Sequence, residues 1–287
     1  MRLRAAVLAL VVLVLAACAG PASAAPDVSV SGDPGSKPTL TYVAPLNPQR
    51  VTRTTVWPGT GPELADGGPV LLNYWVENAR TATLVAESYS ASPVTRTLNE
   101  ASLGADLYRT LSGAHVGARL LQVSPASSGA GNDVPTVTVV DVLPLRATGQ
   151  PVTAPSTLPA VRLGADGTPT LTPTGADPPT GLVAQPLIRG AGRQVARTDT
   201  VTVQYVGFSW KTGEAFDSTW SRGTPSSFSL VDVPAWADGL ADQPVGSQIL
   251  LVVPPTYALG ATQSQELSGQ TVVFVVDILA ASSEGTS

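Results

Sequence analysis

The 287-residue sequence has very few of the side chains that perform covalent or metal-based chemistry. It contains one Cys, one His and one Met, and aromatic residues make up only 5% of it. A single cysteine excludes an internal disulfide and a thiolate metal site, and a single histidine excludes a multi-histidine metal site. Any histidine-based mechanism would depend on His115 alone. We therefore expect a function that needs neither a metal nor a cofactor.

Charged residues are also scarce, at 13% of the chain, and the formal net charge is −5. Nucleic-acid binding requires a basic face, so we expect no nucleic-acid partner. Glycine and proline are abundant instead, with 27 and 26 residues. This composition favours short strands joined by many turns over long helices.

The N-terminal residues have the features of a signal peptide. Two arginines precede an apolar run over residues 5–17. The run is shorter than the roughly 20 residues of a membrane-spanning helix. It leads to Leu-Ala-Ala-Cys at residues 15–18, which resembles a bacterial lipobox, in which the cysteine becomes lipid-modified. Residues 1–17 are therefore predicted to be a lipoprotein signal peptide, and Cys18 the site of lipidation.

A second interpretation of this region stays open. Ala22-Ser23-Ala24 is an A-x-A site at which ordinary secretory cleavage would release a soluble protein. Both interpretations put the mature chain outside the cytoplasm. In the first, Cys18 anchors the chain to the lipid bilayer of the cell membrane.

Two segments rich in Pro, Gly, Ser and Ala divide the remaining chain. Such a composition buries too little apolar surface to offset the entropy of ordering, so it predicts flexible connections. The second of these segments also contains a possible pairing segment, Leu158–Leu163. The predicted boundaries are a tether over residues 18–50, a first domain over 51–147, a linker over 148–181, a second domain over 182–280 and a tail over 281–287.

The two predicted domains repeat one pattern in the same order. Val70–Tyr74 matches Val201–Tyr205 at an offset of 131 residues. Alternating and β-branched runs in both copies predict strands, and Pro234 is suited to begin a short helix over residues 234–241. We interpret the chain as two copies of one α+β fold, each a twisted antiparallel sheet around one short helix. Two further matches support the repeat: Val116–Pro125 with Val245–Pro254, and Val137–Leu143 with Val273–Leu279.

Six segments of the second copy follow one another in a specific order, namely Val203–Gly207, Gly213–Ser218, Val233–Leu240, Val245–Ser247, Pro254–Gly260 and Val272–Leu279. In this order they resemble the FKBP-type peptidyl-prolyl cis-trans isomerase domain. The resemblance implies a five- or six-stranded antiparallel sheet wrapped around one short helix. It also implies that the protein isomerises X–Pro bonds of polypeptides, with a macrolide as a possible ligand.

The resemblance further implies a site made of aromatic rings and one carboxylate. Trp236 would form the floor under the proline ring, and the backbone N–H of Val233 would donate to a substrate carbonyl. Leu259 stands where many family members have a tyrosine that donates to the ligand. The implied catalytic residues are Tyr205, Phe216, Asp217, Val233, Trp236, Tyr257 and Phe274, and the implied rim residues are Phe228 and Leu259.

The first copy lacks most of these rings. Leu107 aligns with the predicted floor, and Glu87 and Thr138 align with two predicted walls, whereas Tyr74 is kept. The first copy is therefore predicted to be degenerate and not to isomerise proline. Two functions stay open for the chain: a proline isomerase that assists the folding of secreted or envelope proteins, and a non-catalytic binding or chaperone module of the cell envelope.

Overall fold

The computed structural model describes residues 27–33, 35–127, 133–257 and 269–283. The predicted signal peptide, Cys18, Leu259 and the last four residues of the predicted tail lie outside these ranges. Within the described ranges, no helix has both the length and the apolar character needed to cross a membrane.

The first unit, residues 27–143, is an antiparallel sheet preceded by a hairpin and crossed by two short helices. Its sheet has the strand order β3-β7-β8-β4-β5, and β6 also pairs with β4. The elements are β1 (Ser29–Ser31), β2 (Thr39–Thr41), β3 (Thr52–Pro58), β4 (Pro69–Asn78), β5 (Thr83–Glu87), β6 (Val94–Thr97), α1 (Glu100–Leu103), α2 (Ala105–Leu111), β7 (Ala118–Ser124) and β8 (Thr136–Leu143).

The second unit, residues 150–283, has the same plan with one added edge strand. Its sheet has the order β14-β13-β17-β16-β12-β9, and β15 also pairs with β13. The elements are β9 (Gln150–Pro151), β10 (Ala160–Leu163), β11 (Pro169–Thr172), β12 (Val183–Arg189), β13 (Thr200–Ser209), β14 (Ala215–Ser218), α3 (Thr219–Arg222), β15 (Ser226–Ser229), a 3-10 turn (Leu230–Asp232), α4 (Pro234–Leu240), β16 (Gln248–Val253) and β17 (Val272–Ser282).

The two sheets share their irregularities as well as their topology. The pairing of β3 shifts register between Thr55 and Trp57, and that of β12 shifts between Pro186 and Ile188. The pairings of β4 with β5 and of β13 with β14 shift at positions that are also 131 residues apart. Bulges re-aim strands at defined positions, so the sequence repeat corresponds to a repeat in backbone geometry.

The predicted helix of the second unit is confirmed, and it ends at Leu240, one residue before the predicted end. The short helix α3, which follows Ser218, was not anticipated by the sequence pattern. Both sheets are antiparallel throughout, and helices are few and short. The prediction of antiparallel sheet with little helix is confirmed.

Each sheet buries two faces. We call the face that carries the helix the inner face and the opposite face the outer face. In the second unit the inner face buries Trp236 and Phe274, and the outer face buries Phe208 and Trp210. Strands that alternate between two buried faces read as continuous apolar runs. This accounts for the apolar runs Ile249–Val253 of β16 and Val272–Val276 of β17.

The prediction of a flexible tether over residues 18–50 is wrong for the described part of that segment. Strands β1 and β2 pair with each other, and Val30 and Leu40 pack against the outer face of the first sheet. The predicted linker over residues 148–181 is largely ordered, and its possible pairing segment Leu158–Leu163 overlaps strand β10. It contains β9 and the hairpin β10–β11, whose Val161 and Leu171 pack against the outer face of the second sheet. Both hairpins gain enough apolar contact to outweigh their Pro- and Gly-rich composition.

Candidate functional site

Three aromatic rings pack edge to face between the second sheet and α4. Tyr205 lies on β13 and Phe274 on the neighbouring strand β17, and both contact Trp236 of α4. The ring centroids are 5.2 Å apart for Tyr205 and Trp236, and 5.3 Å apart for Trp236 and Phe274. All three side chains are buried. Edge-to-face contact is a favoured geometry for aromatic pairs, so each ring fixes the orientation of its neighbours.

Helix α4 has only seven residues, and its position depends on packing more than on helix propensity. Pro234 occupies the first turn, where its missing N–H costs nothing. Gly239 allows close approach to the sheet, because a Cβ at this position would lie 2.2 Å from Leu251 Cδ1. The close approach of the helix allows Trp236 to pack against the inner face of the sheet.

Two further rings border the cluster. Phe228 on β15 packs 4.8 Å from Trp236, and Phe216 on β14 packs 5.8 Å from Phe274, measured between ring centroids. Phe216 remains 38% exposed, so an apolar ligand can reach it. Gly207 leaves room for this ring, since a Cβ there would lie 2.7 Å from Phe216 Cζ.

A polar group of three residues adjoins the rings. The Tyr205 hydroxyl donates to Asp217 Oδ2 at 2.5 Å. Arg222 donates to Asp217 Oδ1 and, at 3.2 Å, to the hydroxyl oxygen of Tyr205. The guanidinium carbon of Arg222 also lies 5.7 Å from the centroid of the Tyr205 ring. The carboxylate, the hydroxyl and the cation therefore hold one another beside the exposed ring of Phe216.

This arrangement fixes the protonation of the group. Burial raises the pKa of Asp217, but the hydrogen bonds from Tyr205 and Arg222 outweigh burial, and the pKa lies below its ordinary value. Burial raises the pKa of Tyr205, and donation to Asp217 raises it further. At neutral pH Asp217 is therefore ionised and Tyr205 is protonated.

Sequence reasoning missed Arg222. The signal was available, because Ser218 and Arg222 fit the first and last turns of a short helix directly after Asp217. In the structure the Ser218 hydroxyl accepts from Ser221 N and caps α3. The helix then turns Arg222 back onto the carboxylate.

The Val233 N–H, which is predicted to donate to a substrate carbonyl, already has a hydrogen-bond partner within the protein. This group donates to Leu230 O at 3.1 Å and closes the 3-10 turn. The reason is the next residue: Pro234 has no N–H, so the Leu230 carbonyl takes its hydrogen bond from Val233. The Val233 side chain is buried in the inner core.

The remaining predicted residues differ in their placement. Tyr257 is half-buried and packs against the inner core, with its N–H donating to Pro254 O at 3.0 Å. Leu259 lies outside the described residues. His115 is exposed, and its Nδ1 is 3.0 Å from Gly61 O. Among the described residues, acidic and histidine side chains form no group of three or more that could hold a metal ion.

The arrangement defines a class of protein: an antiparallel sheet with a cluster of aromatic side chains packed under one short helix. Comparison with known proteins agrees with this class. The family model of the FKBP-type peptidyl-prolyl cis-trans isomerase matches residues 191–279, all of which lie in the second unit.

Two of the relatives are matched over almost their whole length. The probable FK506-binding protein of Corynebacterium glutamicum is 40% identical over 105 residues, which cover 36% of this chain and 89% of that protein. The FK506-binding protein of Streptomyces anulatus is 35% identical over 112 residues, which cover 37% of this chain and 90% of that protein. The chain therefore belongs to the FKBP-type peptidyl-prolyl cis-trans isomerase family, and it is an enzyme of that type.

One solved structure illustrates the extent of three-dimensional likeness. The crystal structure of FkpA from Escherichia coli is 29% identical and covers 43% of this chain and 52% of that chain, with a TM-score of 0.33.

Proposed function

We propose that the second unit isomerises X–Pro bonds of secreted or envelope polypeptides at its aromatic cluster, without a covalent intermediate. The observation that carries this proposal is the packing of Tyr205, Trp236 and Phe274 next to the ionised carboxylate of Asp217. Twisting an X–Pro bond has a barrier of roughly 18–20 kcal/mol, because amide resonance is lost. A dry aromatic surface favours the twisted, less polar amide over the planar, solvated one.

In this proposal each ring has one role. Trp236 forms the floor under the proline ring, and Tyr205, Phe216 and Phe274 form the walls. Phe228 and Tyr257 border the floor. Asp217, oriented by Tyr205 and Arg222, positions the polar part of the substrate. Because the N–H of Val233 is already bonded to Leu230 O, the substrate carbonyl would have to compete for it.

We further propose that the first unit is a degenerate copy of the same fold and does not isomerise proline. Its support is the shared strand order and the shared bulges. At the positions of the floor and one wall it has Leu107 and Thr138. Beneath its helix, Thr110 donates to Gln122 Oε1, so that part of its inner face is polar.

For location, we propose that Cys18 anchors the chain to the outer side of the cell membrane. The support is the sequence of residues 1–18, and release as a soluble secreted protein is the alternative. Replacement of Cys18 by Ser should move the chain from the membrane fraction to the medium.

The test of the enzymatic proposal is cis/trans exchange of a proline tetrapeptide, measured with the full chain. The uncatalysed exchange takes roughly 10–100 s, so catalysis is easily seen. We expect acceleration that tacrolimus inhibits. Trp236→Leu, which inserts the residue of the first unit, should reduce kcat/KM at least about tenfold, a loss of about 1.4 kcal/mol of transition-state stabilisation.

The matched control is Leu107→Ala at the equivalent position of the first unit, which should leave kcat/KM unchanged. Circular dichroism must show that both variants are folded. A folded wild-type chain without acceleration would contradict the proposal and favour a non-catalytic binding module. Equal losses in both variants would contradict the assignment of the site to the second unit.

A further inference from the structure

The segment that joins the two units, residues 144–149, is fastened to the second sheet by its backbone. Thr148 donates its N–H to Gly246 O at 2.9 Å, and β9, which follows, pairs with β12. Ala147 makes a different contact, because its N–H donates to a side chain, Asp277 Oδ2, at 2.8 Å. Asp277 is therefore part of the attachment between the segment and β17.

Asp277 is an acid in a place that disfavours its charge. Its residue is only 2% exposed, and its second oxygen accepts from Gln248 Nε2 at 2.7 Å. In the described part of the chain it has no ion pair. A charged side chain that acts on it is Arg146, which is exposed on the joining segment. Burial raises the pKa of Asp277 to about 6, although Ala147, Gln248 and Arg146 oppose the shift.

A buried acceptor lies beside this carboxyl group. Gln204 is the register partner of Asp277 across β13 and β17, so the two side chains project side by side from the outer face. Gln204 is 5% exposed, and among the described residues its Oε1 is a buried atom without a hydrogen-bond partner. A protonated carboxyl group has an O–H that can donate to a neighbouring acceptor, whereas a carboxylate has none. Protonation of Asp277 would therefore give Gln204 Oε1 a hydrogen-bond donor.

The first unit has the same acid with a different neighbour. Asp141 occupies the position of Asp277, and Arg119 occupies that of Gln248. Arg119 Nε lies 2.6 Å from Asp141 Oδ1, so the charge of this carboxylate is balanced. The second unit keeps the buried acid and lacks the cation, which leaves proton uptake as the way to neutralise it.

We propose that Asp277 is a proton-operated latch between the joining segment and the second sheet. With its proton, the carboxyl donates to Gln204 Oε1 and still accepts from Ala147. Without it, the buried charge is relieved when the segment lifts and water reaches the carboxylate. The segment is thus held more firmly in mildly acidic solution than in neutral solution, and the isomerase site is not part of the device.

Lifting the segment would change how the units are held together. Thr148 and Gly246 line a cleft of about 620 Å³ that has walls from both units. Beside it, Leu71 and Leu143 of the first unit pack with Leu279 of β17. The latch therefore acts at the edge of the contact between the units.

The test is hydrogen–deuterium exchange of the Ala147 and Thr148 amides in the full chain, corrected for intrinsic exchange rates. When the segment is open, we take the pKa of Asp277 to be its ordinary value of 3.8. The equilibrium constant for opening the segment should then rise about tenfold between pH 5.0 and pH 7.5. Asp277→Asn, a neutral isostere, should abolish this rise. The internal control is the amide of Leu46, which is bonded to Ala79 O in the first unit and should not respond.

A second measurement does not depend on the variant. The carboxyl carbon of Asp277 in the wild-type chain should titrate with the same midpoint as the exchange, as measured by ¹³C NMR. The proposal is overturned if Asp277 titrates near its ordinary value, if the opening constant is independent of pH, or if Asp277→Asn keeps the wild-type rise.

Discussion

Under its helix, the second sheet presents aromatic rings where the first sheet presents polar and aliphatic side chains. Tyr74 and Tyr205 occupy equivalent positions on β4 and β13. On the neighbouring strand, Phe274 corresponds to Thr138. At the edge, Gly207 makes room for the ring of Phe216, and the first unit has a valine at the equivalent position. The backbone frame is the same, and a few side chains decide whether a dry aromatic surface exists.

The helix contacts differ in the same way. In the second unit, Gly239 of α4 lies directly on Leu251. In the first unit, Thr110 of α2 donates to Gln122 Oε1, and Arg53 donates to Thr110 at 3.0 Å. The first unit thus adds hydrogen bonds to the apolar packing of its helix, whereas the second unit places a glycine of its helix directly on an apolar side chain. A sheet of this kind can hold its helix with or without an aromatic cluster beneath it.

The outer faces differ in one buried pair. Arg119 and Asp141 form an ion pair in the first unit, and the hairpin β1–β2 completes it with the carbonyl oxygens of Gly32 and Ser36. In the second unit the pair is Gln248 and Asp277. The hairpins therefore cover chemically different faces, and changes to either face should expose the difference.

The largest effect is expected from removal of the second hairpin. A chain that begins at residue 182 lacks β9, β10 and β11 and exposes the outer face, including Phe208 and Trp210. Burial contributes about 25 cal/mol per Å² of apolar surface, so several kcal/mol are lost. We expect a melting temperature at least about 10 °C below that of a chain beginning at residue 148, or aggregation. Differential scanning calorimetry measures the difference.

A control in the full chain separates the effect of uncovering the outer face from the effect of shortening the chain. Val161→Asp places a charge under the hairpin without shortening the chain, and it should reproduce part of the loss. If residues 182–287 are as stable as residues 148–287, the hairpin does not protect this face.

The next effect is a difference of sign between two equivalent substitutions. Asp141→Asn leaves Arg119 buried without its counter-charge and should cost about 3–5 kcal/mol. Asp277→Asn should instead stabilise the chain by about 3 kcal/mol at pH 7.5, because it removes an unbalanced buried charge. The folded pKa of Asp277 is raised, so its stabilising contribution is complete below about pH 4 and is lost as pH rises through about 6.

Urea unfolding at pH 7.5 and pH 4.5 measures the change in the free energy of unfolding for both substitutions. The gain from Asp277→Asn should shrink at pH 4.5, where the wild-type acid is protonated. Two losses of similar size at pH 7.5 would show that the outer faces are equivalent after all.

Much of the second sheet could be predicted from its residues. The alternation of Val201–Val206 indicates β13, and Pro234 marks the start of α4. The hairpins could not be predicted from composition, because few apolar residues anchor each of them. A stronger signal was present: Pro-Thr-Leu-Thr occurs at residues 38–41 and again at 169–172, at the offset of the repeat.

The site shows a similar division. The rings follow from ordered motifs, since each sits on a strand or helix whose period fixes its face. The hydrogen-bond partner of the Val233 N–H depends on which carbonyl in the turn before Pro234 has no other donor. The contact of Arg222 with Asp217 depends on the direction in which α3 runs. Both are properties of local backbone geometry that spacing in the sequence does not determine.

The smallest expected effect concerns the carboxylate that borders the rings. Asp217 has a lowered pKa, so its contribution is present above its ordinary value and is lost only as pH falls through the lower folded value. Tyr205 has a raised pKa and stays protonated. We therefore expect kcat/KM to vary less than about twofold between pH 5 and pH 8. Asp217→Asn should lower it about fivefold, as expected for one weakened charge-assisted hydrogen bond.

The matched control is Asp106→Asn, which removes the exposed ion pair of Asp106 with Arg53 in the first unit and should leave kcat/KM unchanged. Assays well below the melting temperature keep the stability effect of Asp277 out of the profile. A rate that titrates between pH 5 and pH 8 in the wild-type chain but not in Asp217→Asn would mean that this carboxylate gains a proton in that range. The hydrogen bonds from Tyr205 and Arg222 would then be too weak to hold it ionised. The group of Tyr205, Asp217 and Arg222 would then not give the second unit the fixed negative charge by which it differs from the first unit.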